Sequence, residues 1–401
     1  MIVFEKSFTQ QEAIPDAGIE AAVAVLRHGR LHRYNVADGE TGETALLESE
    51  FAHYMDMPYC LACASGGYAI HIALRSVGVT KGDRVLTNAF TLSPVPGAIN
   101  NAGAEAVLVD SGADYKIDID DLRLAAEESD AKFFLISHMR GHIADMDRIV
   151  ALCEEKNIVL IEDCAHTMGA HWRGKKSGSF GKVACFSTQT YKHINSGEGG
   201  LLVTDDADVI KRAIIYSGSY MLYGNHDAAP QANDFDDMRL GTPNYSGRMD
   251  NLRAAILRPQ LRQLDAQCRR WNVLYDVLDA RLRAMQHVEI PQRPTDESFV
   301  GSSIQFSLPG FSEQKVVGFV DACAERGVSI KWFGSAQPHG YTSRHDSWLY
   351  MRNTRTLDKT TQVLSTLCDM RVPLTFTTDD CEVIADVIGE ALDVVATSSA
   401  A

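Results

Sequence analysis

Seven short apolar runs divide the first half of the chain, and the stretches between them are amphipathic or rich in turn residues. The runs are YCLACAS from Tyr59, RVLTNAF from Arg84, AEAVLVD from Ala104, AKFFLISH from Ala131, NIVLIEDC from Asn157, VACFSTQ from Val183 and GGLLVTD from Gly199. Several intervening stretches, such as GYAIHIALRSVG and DMDRIVALCEEKN, place apolar residues at helical spacing. Alternating strands and helices predict an α/β fold with right-handed crossovers and a mostly parallel sheet covered on both faces.

The pattern changes after about Asp206. A turn-rich loop is followed by a long helical stretch from Met249 to about Met285, and then by short strands and helices. This change predicts a large domain over residues 1–255 and a smaller α+β domain over residues 256–401, joined by the long helix.

The charge and composition of the chain argue against some classes of function. The 401-residue chain has a formal net charge of −15 and 45% hydrophobic residues, with no long Lys/Arg run. An electrostatic grip on nucleic acid or on an anionic membrane is therefore not expected. The sequence shows neither an export signal nor a run of about 18 uncharged apolar residues, so a cytoplasmic protein that does not span a membrane is expected.

The nine cysteines are scattered through apolar segments, a distribution that fits reduced thiols better than a disulfide framework. Cys60 and Cys63 have the spacing of a redox or zinc motif, but they fall in a strand-like run with no second pair. His138 and His142 are four residues apart at a strand end and in a loop, not on one helical face. No metal site is predicted.

Residues at the carboxyl ends of the predicted strands are the candidates for chemistry, because ligands of open parallel sheets bind there. Ser65, Gly66 and Gly67 lie between the first strand and a helix, where backbone N–H groups could bind a phosphate; the alternative is a tight turn. Asp163 stands at the carboxyl end of the fifth predicted strand, and a carboxylate there needs a cation or a strong donor; the alternatives are a helix N-cap and a buried salt bridge.

The stretch FSTQTYKHINSGEGG places Lys192 between an apolar strand and a glycine-rich turn, with Ser187 five residues earlier. A lysine in a partly desolvated setting has a lowered pKa and can form Schiff bases, whereas most lysines are simply solvated. A phosphate site, a hydroxyl, a carboxylate and an amine together match the needs of pyridoxal 5′-phosphate: an imine-forming lysine, a partner for the pyridine nitrogen and a phosphate anchor.

The order and spacing of motifs over nearly the whole chain resemble those of the DegT/DnrJ/EryC1/StrS family of pyridoxal-phosphate-dependent enzymes, mostly sugar aminotransferases. The motifs are RHGRLHRYNV, ASGGYAIHIAL, VGVTKGDRVLTNAFT, GAEAVLVD, HMRGHIADMDRI, IEDCAHTMGA, KSGSFGKVACFS, KHINSGEGGLLVT, RMDNLRAAILRPQL and DMRVPL. The resemblance implies a fold-type-I, aspartate aminotransferase-like protein with a seven-stranded large domain. It also implies a homodimer whose active sites lie at the interface.

The resemblance also implies roles for single residues. Lys192 would be the Schiff-base lysine and proton shuttle, and Asp163 the partner of the pyridine nitrogen. His166 falls where the family usually has Gln or His beside the phenolic oxygen of the cofactor.

The phosphate would be held by Ser187 and by the backbone of Gly66, Gly67 and Tyr68. Relatives usually have Gly-Thr where this chain has Gly66-Gly67, so a possible hydroxyl contact to the phosphate is lost.

Two further positions depart from the family pattern. Leu92, in NAFTL, takes the place of the aromatic residue that stacks on the cofactor ring. The Asn-Tyr-Arg loop that reaches the phosphate of the partner subunit appears as PNYSGRM, so either Asn244 or Ser246 fills that role. The segment KWFGSAQPHGYTSRHD differs from the common sugar-site pattern and offers Trp332, His339 and Arg344 as substrate contacts.

The expected reaction is ping-pong transamination from glutamate or glutamine to a keto or aldehyde acceptor, a sugar or another polyhydroxylated compound. Two alternatives share the fold: a sugar dehydratase and a non-catalytic regulatory protein. Family dehydratases carry histidine at the lysine position, so Lys192 disfavours the first; Lys192 and Asp163 together disfavour the second.

Overall fold

The computed structural model describes residues 2–340, 342, 344–352 and 354–397. The α-helices in the described residues are α1 (Asp16–His28), α2 (Glu43–Met55), α3 (Gly66–Ser76), α4 (Pro94–Asn101), α5 (Ile119–Ser129), α6 (Met146–Lys156), α7 (Ala207–Ser217), α8 (Asn251–Arg283), α9 (Glu313–Ala324), α10 (Asp358–Thr366) and α11 (Thr378–Thr397). The strands are β1 (Tyr59–Cys63), β2 (Arg84–Asn88), β3 (Glu105–Val109), β4 (Phe133–Ser137), β5 (Val159–Asp163), β6 (His171–Trp172), β7 (Lys175–Lys176), β8 (Val183–Ser187), β9 (Gly200–Thr204), β10 (Glu297–Ser298), β11 (Ser303–Ser307), β12 (Lys331–Trp332) and β13 (Leu367–Arg371).

Seven strands form the main sheet in the order β1-β9-β8-β5-β4-β2-β3. Each of the seven apolar runs supplies one of them, and the pairs among β3, β2, β4, β5 and β8 are parallel. Strand β9 is antiparallel to both of its neighbours, β1 and β8. The predicted α/β fold with a mostly parallel sheet is therefore confirmed.

Both faces of the sheet are covered. Along β1, Cys60 and Ala62 pack into an apolar cluster with residues of α2, α6 and α8, whereas Leu61 and Cys63 pack into a second cluster with α3, α4 and α7. Because successive side chains of a strand point to opposite faces, an apolar run buried at every position needs a layer on each side.

A buried ion cluster fixes β1 to the N-terminal part of the chain. The carboxylate of Glu48 accepts hydrogen bonds from both terminal nitrogens of Arg33, at 2.7 and 2.8 Å, and from the backbone N–H of Ala62, at 2.8 Å. His226 Nδ1 lies 3.3 Å from the same carboxylate. Burial alone would raise the pKa of Glu48, but Arg33 and His226 lower it to about 2. The carboxylate is therefore ionised, and it joins three separate segments of the chain.

The expected long helix is α8, which begins after Asp250, whose Oδ1 accepts from the backbone N–H of Arg253 at 2.9 Å. Trp271 on this helix donates its indole N–H to the carbonyl of Val372 at 2.9 Å. Beyond α8, strands β11, β13 and β12 form an antiparallel sheet with β13 in the middle. The expected strands and helices are present there, and the domain boundary at residue 255 stays a prediction.

None of the described helices combines the length and the apolar character needed to cross a bilayer.

Candidate active site

A cavity of about 550 Å³ opens at the carboxyl ends of β4, β5 and β8. Its lining includes the last residue of each of these strands, Ser137, Asp163 and Ser187. The first turn of α3 and the loop that carries Lys192 line it as well. The cavity therefore lies where an open parallel sheet is expected to bind its ligands.

The start of α3 touches the end of β8. A Cβ atom on Gly66 would lie 2.8 Å from Cβ of Ser187, closer than real Cβ contacts come. Ser65 caps the helix by accepting the N–H of Tyr68 on its Oγ at 3.1 Å. The amides of Gly66 and Gly67 stand in the first helical turn, which has no backbone carbonyl partners of its own, whereas the Tyr68 amide is engaged by the cap. The predicted phosphate site thus has two amides and the Ser187 hydroxyl available.

The space around Gly67 would admit a side chain, whereas the space around Gly200 would not. A Cβ on Gly67 would meet only Cβ of Pro94, at 3.7 Å, which is an ordinary van der Waals contact. A Cβ on Gly200, at the start of β9, would lie 2.4 Å from the carbonyl oxygen of Ser65. Glycine at position 200 is therefore imposed by the close approach of β9, while position 67 has room for the residue that relatives usually carry.

Asp163 is a buried carboxylate with a donor on each oxygen. Ser137 donates its hydroxyl to Oδ2 at 2.8 Å, and the backbone N–H of Ala165 donates to Oδ1 at 3.1 Å. The contact with Ala165 resembles the capping role considered from the sequence, yet the side chain also lines the cavity. The Ser137 hydroxyl fixes the orientation of the carboxylate toward the cavity.

Lys192 and His166 meet on the cavity wall, with Nζ 2.8 Å from Nε2. Burial, reinforced by the positive charge of Arg140, lowers the pKa of Lys192 to about 7. Burial and the neighbouring lysine hold the pKa of His166 well below its usual range. The imidazole is therefore neutral, and its Nε2 accepts the hydrogen bond when the lysine is charged. Near pH 7 a substantial share of the lysine is the free amine, which is the nucleophilic form.

Leu92 lines the cavity and packs against a small apolar cluster that includes Phe90, Met139 and Phe333. Its side chain is held from behind and presents an aliphatic surface to the cavity. A flat ring could pack on it without aromatic stacking.

Asn244 and Ser246 lie in an exposed turn and not on the cavity wall described by residues of the same chain. The Oδ1 atom of Asn244 accepts from the backbone N–H of Ser246 at 2.9 Å and lies 3.3 Å from its hydroxyl. Between them, Tyr245 stacks on Tyr216 with ring centroids 5.3 Å apart. Both side chains are thus displayed at the surface, and the role of either one toward a partner subunit stays a prediction.

The three substrate contacts suggested by the C-terminal segment lie outside the cavity lining in the described part of the chain. Trp332 donates its indole N–H to the carbonyl of Ser365 at 2.9 Å, and Arg344 pairs with Asp346. Of the same segment, Lys331 and Gly340 do line the cavity; Tyr341 and Ser343 lie outside the described residues.

Three basic residues of the cavity wall were missed by sequence reasoning: Arg140, Lys331 and Arg371. Arg140 follows the end of β4 by three residues, so the rule that selected other strand ends could have found it. Lys331 and Arg371 belong to the C-terminal sheet, and nothing in their local sequence indicates that this sheet reaches the carboxyl end of the main one.

One group of described residues has metal-like geometry: His138, Glu162 and Cys164. The carboxylate of Glu162, however, accepts the backbone N–H groups of Gly178, Phe180 and Gly181 at 2.7 to 3.0 Å. Because these donors occupy its lone pairs, the carboxylate orders the loop before β8 and is poorly placed to bind an ion.

Comparison with known proteins gives a consistent result. The sequence pattern that defines the DegT/DnrJ/EryC1/StrS aminotransferase family matches residues 17–388 of this chain. GDP-perosamine synthase from Escherichia coli O157:H7 is 30% identical over 243 residues, which cover 60% of this chain and 64% of that protein, slightly less than two thirds of its length. 3-Amino-5-hydroxybenzoate synthase from Amycolatopsis mediterranei is 30% identical over 289 residues, or 71% of this chain and 72% of that protein.

A solved structure of 3-amino-5-hydroxybenzoic acid synthase superimposes with a TM-score of 0.82 at 24% identity, covering 98% of this chain and 100% of that one. This similarity, together with the sheet described above, confirms the fold-type-I architecture that the sequence resemblance implied.

Proposed function

Because the chain belongs to the DegT/DnrJ/EryC1/StrS aminotransferase family, we propose that it is a pyridoxal-phosphate-dependent aminotransferase. Its amino donor would be glutamate or glutamine, and its acceptor a keto or aldehyde carbon of a sugar or other polyhydroxylated compound. The observation that carries the proposal is the pairing of Lys192 with His166 at 2.8 Å on the wall of a cavity that also holds Asp163.

The residues of the cavity fit the cofactor. Lys192 has the lowered pKa that an imine-forming amine needs, and the Asp163 side chain, orientated by Ser137, is suited to a protonated pyridine nitrogen. The close approach of Gly66 to Ser187 forms a cradle at a helix N-terminus for the phosphate. When bound, the cofactor supplies an electron sink.

The chain's own groups handle the protons. The amine of Lys192, once free, would carry the proton to and from the reacting carbon, and a pKa of about 7 suits it to do both near neutral pH. His166, neutral and 2.8 Å away, orients the lysine through its Nε2 atom. The ring face would rest on Leu92.

We place the shared site of a homodimer at the exposed turn that displays Asn244 and Ser246. The surrounding segment exposes large apolar side chains: Tyr220, Met221, Leu222, Leu240 and Tyr245. Surfaces of this kind mark protein contacts. Mixing Lys192→Ala subunits with Asn244→Ala subunits tests the arrangement, because mixed dimers would contain one intact site and regain part of the activity lost in each parent. A shared site is contradicted if these mixed dimers regain no activity and mixtures of Lys192→Ala with Ser246→Ala subunits regain none either.

The cytoplasm is the proposed location. All nine cysteines are buried and unpaired, which suits a reducing compartment.

The reaction is tested by the absorbance spectrum of the purified protein with added pyridoxal 5′-phosphate, followed by glutamate or glutamine. Wild-type protein should show an imine band that the correct donor removes, with release of 2-oxoglutarate or its amide. Lys192→Ala should abolish both, and Lys132→Ala, an exposed lysine paired with Asp130, should change neither. An imine band that neither donor alters would instead favour a non-catalytic protein of this fold.

A further inference from the structure

The cavity wall beside Lys192 is basic although the chain as a whole carries a net charge of −15. Four basic side chains line it, Arg140, Lys192, Lys331 and Arg371, together with two carboxylates, Asp163 and Glu198; its other ionisable residues are His166, Cys185 and Tyr191. Asp163 is assigned to the cofactor, and Glu198 is exposed in the glycine-rich turn. A cluster of three cations, Arg140, Lys331 and Arg371, is therefore left facing the substrate.

Arg140 is held in place by a strained and buried setting. Its backbone has φ 54° and ψ 26°, a left-handed conformation that arginine rarely adopts, and its side chain is only 9% exposed. Nη2 lies 2.9 Å from Oδ2 of Asp369, and the guanidinium carbon lies 5.7 Å from the centre of the Phe333 ring. Asp369 is fixed in turn by Gln305, which donates to its Oδ1 at 2.8 Å.

The hydrogen-bonding capacity of Arg140 is not used up within the described residues. Its Nε and Nη2 atoms are buried without a hydrogen-bond partner of good geometry in that part of the chain, so the contact with Asp369 is an ion pair rather than a fork. A buried guanidinium with spare donors is costly unless a ligand supplies acceptors.

Arg371 and Lys331 extend the cluster from the neighbouring strands. The guanidinium carbon of Arg371 lies 3.4 Å from the centre of the Tyr191 ring, and the side chain lines the cavity. Lys331 on β12 is paired across the sheet with Asp369 on β13. All three cations thus stand on ordered backbone around a single carboxylate, Asp369.

Three cations are more than the carboxylate of a donor amino acid needs as binding partners in this cavity. One guanidinium satisfies an α-carboxylate, and the proposed phosphate cradle is formed by other residues, Gly66 and Ser187. A neutral sugar in the acceptor step would bring no negative charge to a cluster in which three cations lie near one carboxylate, Asp369.

We propose that the acceptor is itself an anion: a polyhydroxylated keto or aldehyde compound that carries an acidic oxyanion, carboxylate or phosphate, bound by Arg140, Lys331 and Arg371. The proposal rests on the proposed aminotransferase function and specifies the substrate class of the same site.

The test is calorimetric binding to the purified protein with its cofactor. The probes are quinate, a polyhydroxylated ring with a carboxylate; inositol 1-phosphate, a similar ring with a phosphate; myo-inositol, the neutral ring; and glutarate, a stand-in for the donor. We expect at least one anionic ring to bind more than about tenfold tighter than myo-inositol. Tighter binding of quinate would identify the anionic group as a carboxylate, and tighter binding of inositol 1-phosphate would identify it as a phosphate.

Arg371→Gln should reduce that preference about tenfold, and Arg344→Gln, a neighbouring arginine paired with Asp346 outside the cavity, should leave it unchanged. If Arg371→Gln does not fold, Lys331→Met and competition by sodium chloride on wild-type protein examine the same cluster. Equal binding of neutral and anionic rings would overturn the proposal, as would a preference that neither variant nor salt reduces. The proposal would also be overturned if the substitutions in the cluster weakened the binding of glutarate and of no other probe.

The same preparation is assayed for amino transfer from glutamate or glutamine. Donor turnover without preference for an anionic ring refutes the anionic acceptor alone. Preference for an anionic ring without donor turnover refutes the aminotransferase and leaves the anion site standing.

Discussion

The reactivity of Lys192 should depend on pH in a way that an ordinary lysine does not. The perturbation is a change of pH from 6 to 9 during addition of pyridoxal 5′-phosphate to cofactor-free protein. Because burial and Arg140 lower the pKa of Lys192 to about 7, the free-amine fraction should rise from about 9% at pH 6 to about 91% at pH 8. The rate of capture should therefore rise about tenfold over this interval and then level off. A lysine with the usual pKa of about 10.4 would gain about 100-fold over the same interval and keep rising.

The assay is stopped-flow absorbance of imine formation, with Lys192→Ala as the blank. The cofactor's phosphate also titrates near pH 6, so the series is repeated with pyridoxal, which lacks that group. Arg140→Met removes a positive neighbour and should move the midpoint to higher pH. A rate that keeps rising to pH 9 in wild-type protein would refute the reasoning, and so would an unchanged midpoint in Arg140→Met.

Two matched pairs of substitutions test other features. Gly66→Ala should weaken cofactor binding, measured by fluorescence titration, because its Cβ would lie 2.8 Å from Cβ of Ser187, whereas Gly67→Ala, with 3.7 Å to its nearest neighbour, should have a much smaller effect; equal losses would contradict the cradle. Glu48→Gln leaves a buried arginine without its counter-charge and should cost about 3–5 kcal/mol in urea unfolding at pH 7, while Glu50→Gln on the same helix removes partly exposed ion pairs and should cost about 1 kcal/mol or less. Because the folded-state pKa of Glu48, about 2, lies below its unfolded value, its contribution should be complete above about pH 5 and disappear as the pH falls toward 2. A wild-type stability that does not fall more steeply than that of Glu48→Gln between pH 5 and 2 would contradict this assignment.

The sheet was predictable from the sequence because strands that are buried on both faces appear as continuous apolar runs, without alternating polar residues. The seven apolar runs became seven strands, and Asp163 and Ser187 were found because they stand at the carboxyl ends of two of those strands. Lys192 was found because the glycine-rich turn behind it marked an unusual setting.

The cationic cluster was not predictable in the same way. The burial of Arg140 depends on its left-handed backbone and on Asp369, which is distant in sequence. Lys331 and Arg371 reach the cavity only because the C-terminal sheet contributes to its wall at the carboxyl end of the main sheet. Sequence periodicity reports the neighbours of a residue along its own element, but it does not report which elements later pack together.

The contact between Gly200 and Ser65 has a consequence for the order of events in folding. In the main sheet, strand β1 is joined to β8 through β9, whose register pairs Tyr59 with Thr204 across a long stretch of chain. Closing so large a loop is entropically costly and slow, so we expect the two halves of the phosphate cradle to come together late in folding. A cofactor that recognises the finished cradle binds after this step. Its binding energy should therefore slow unfolding while leaving the rate of folding nearly unchanged.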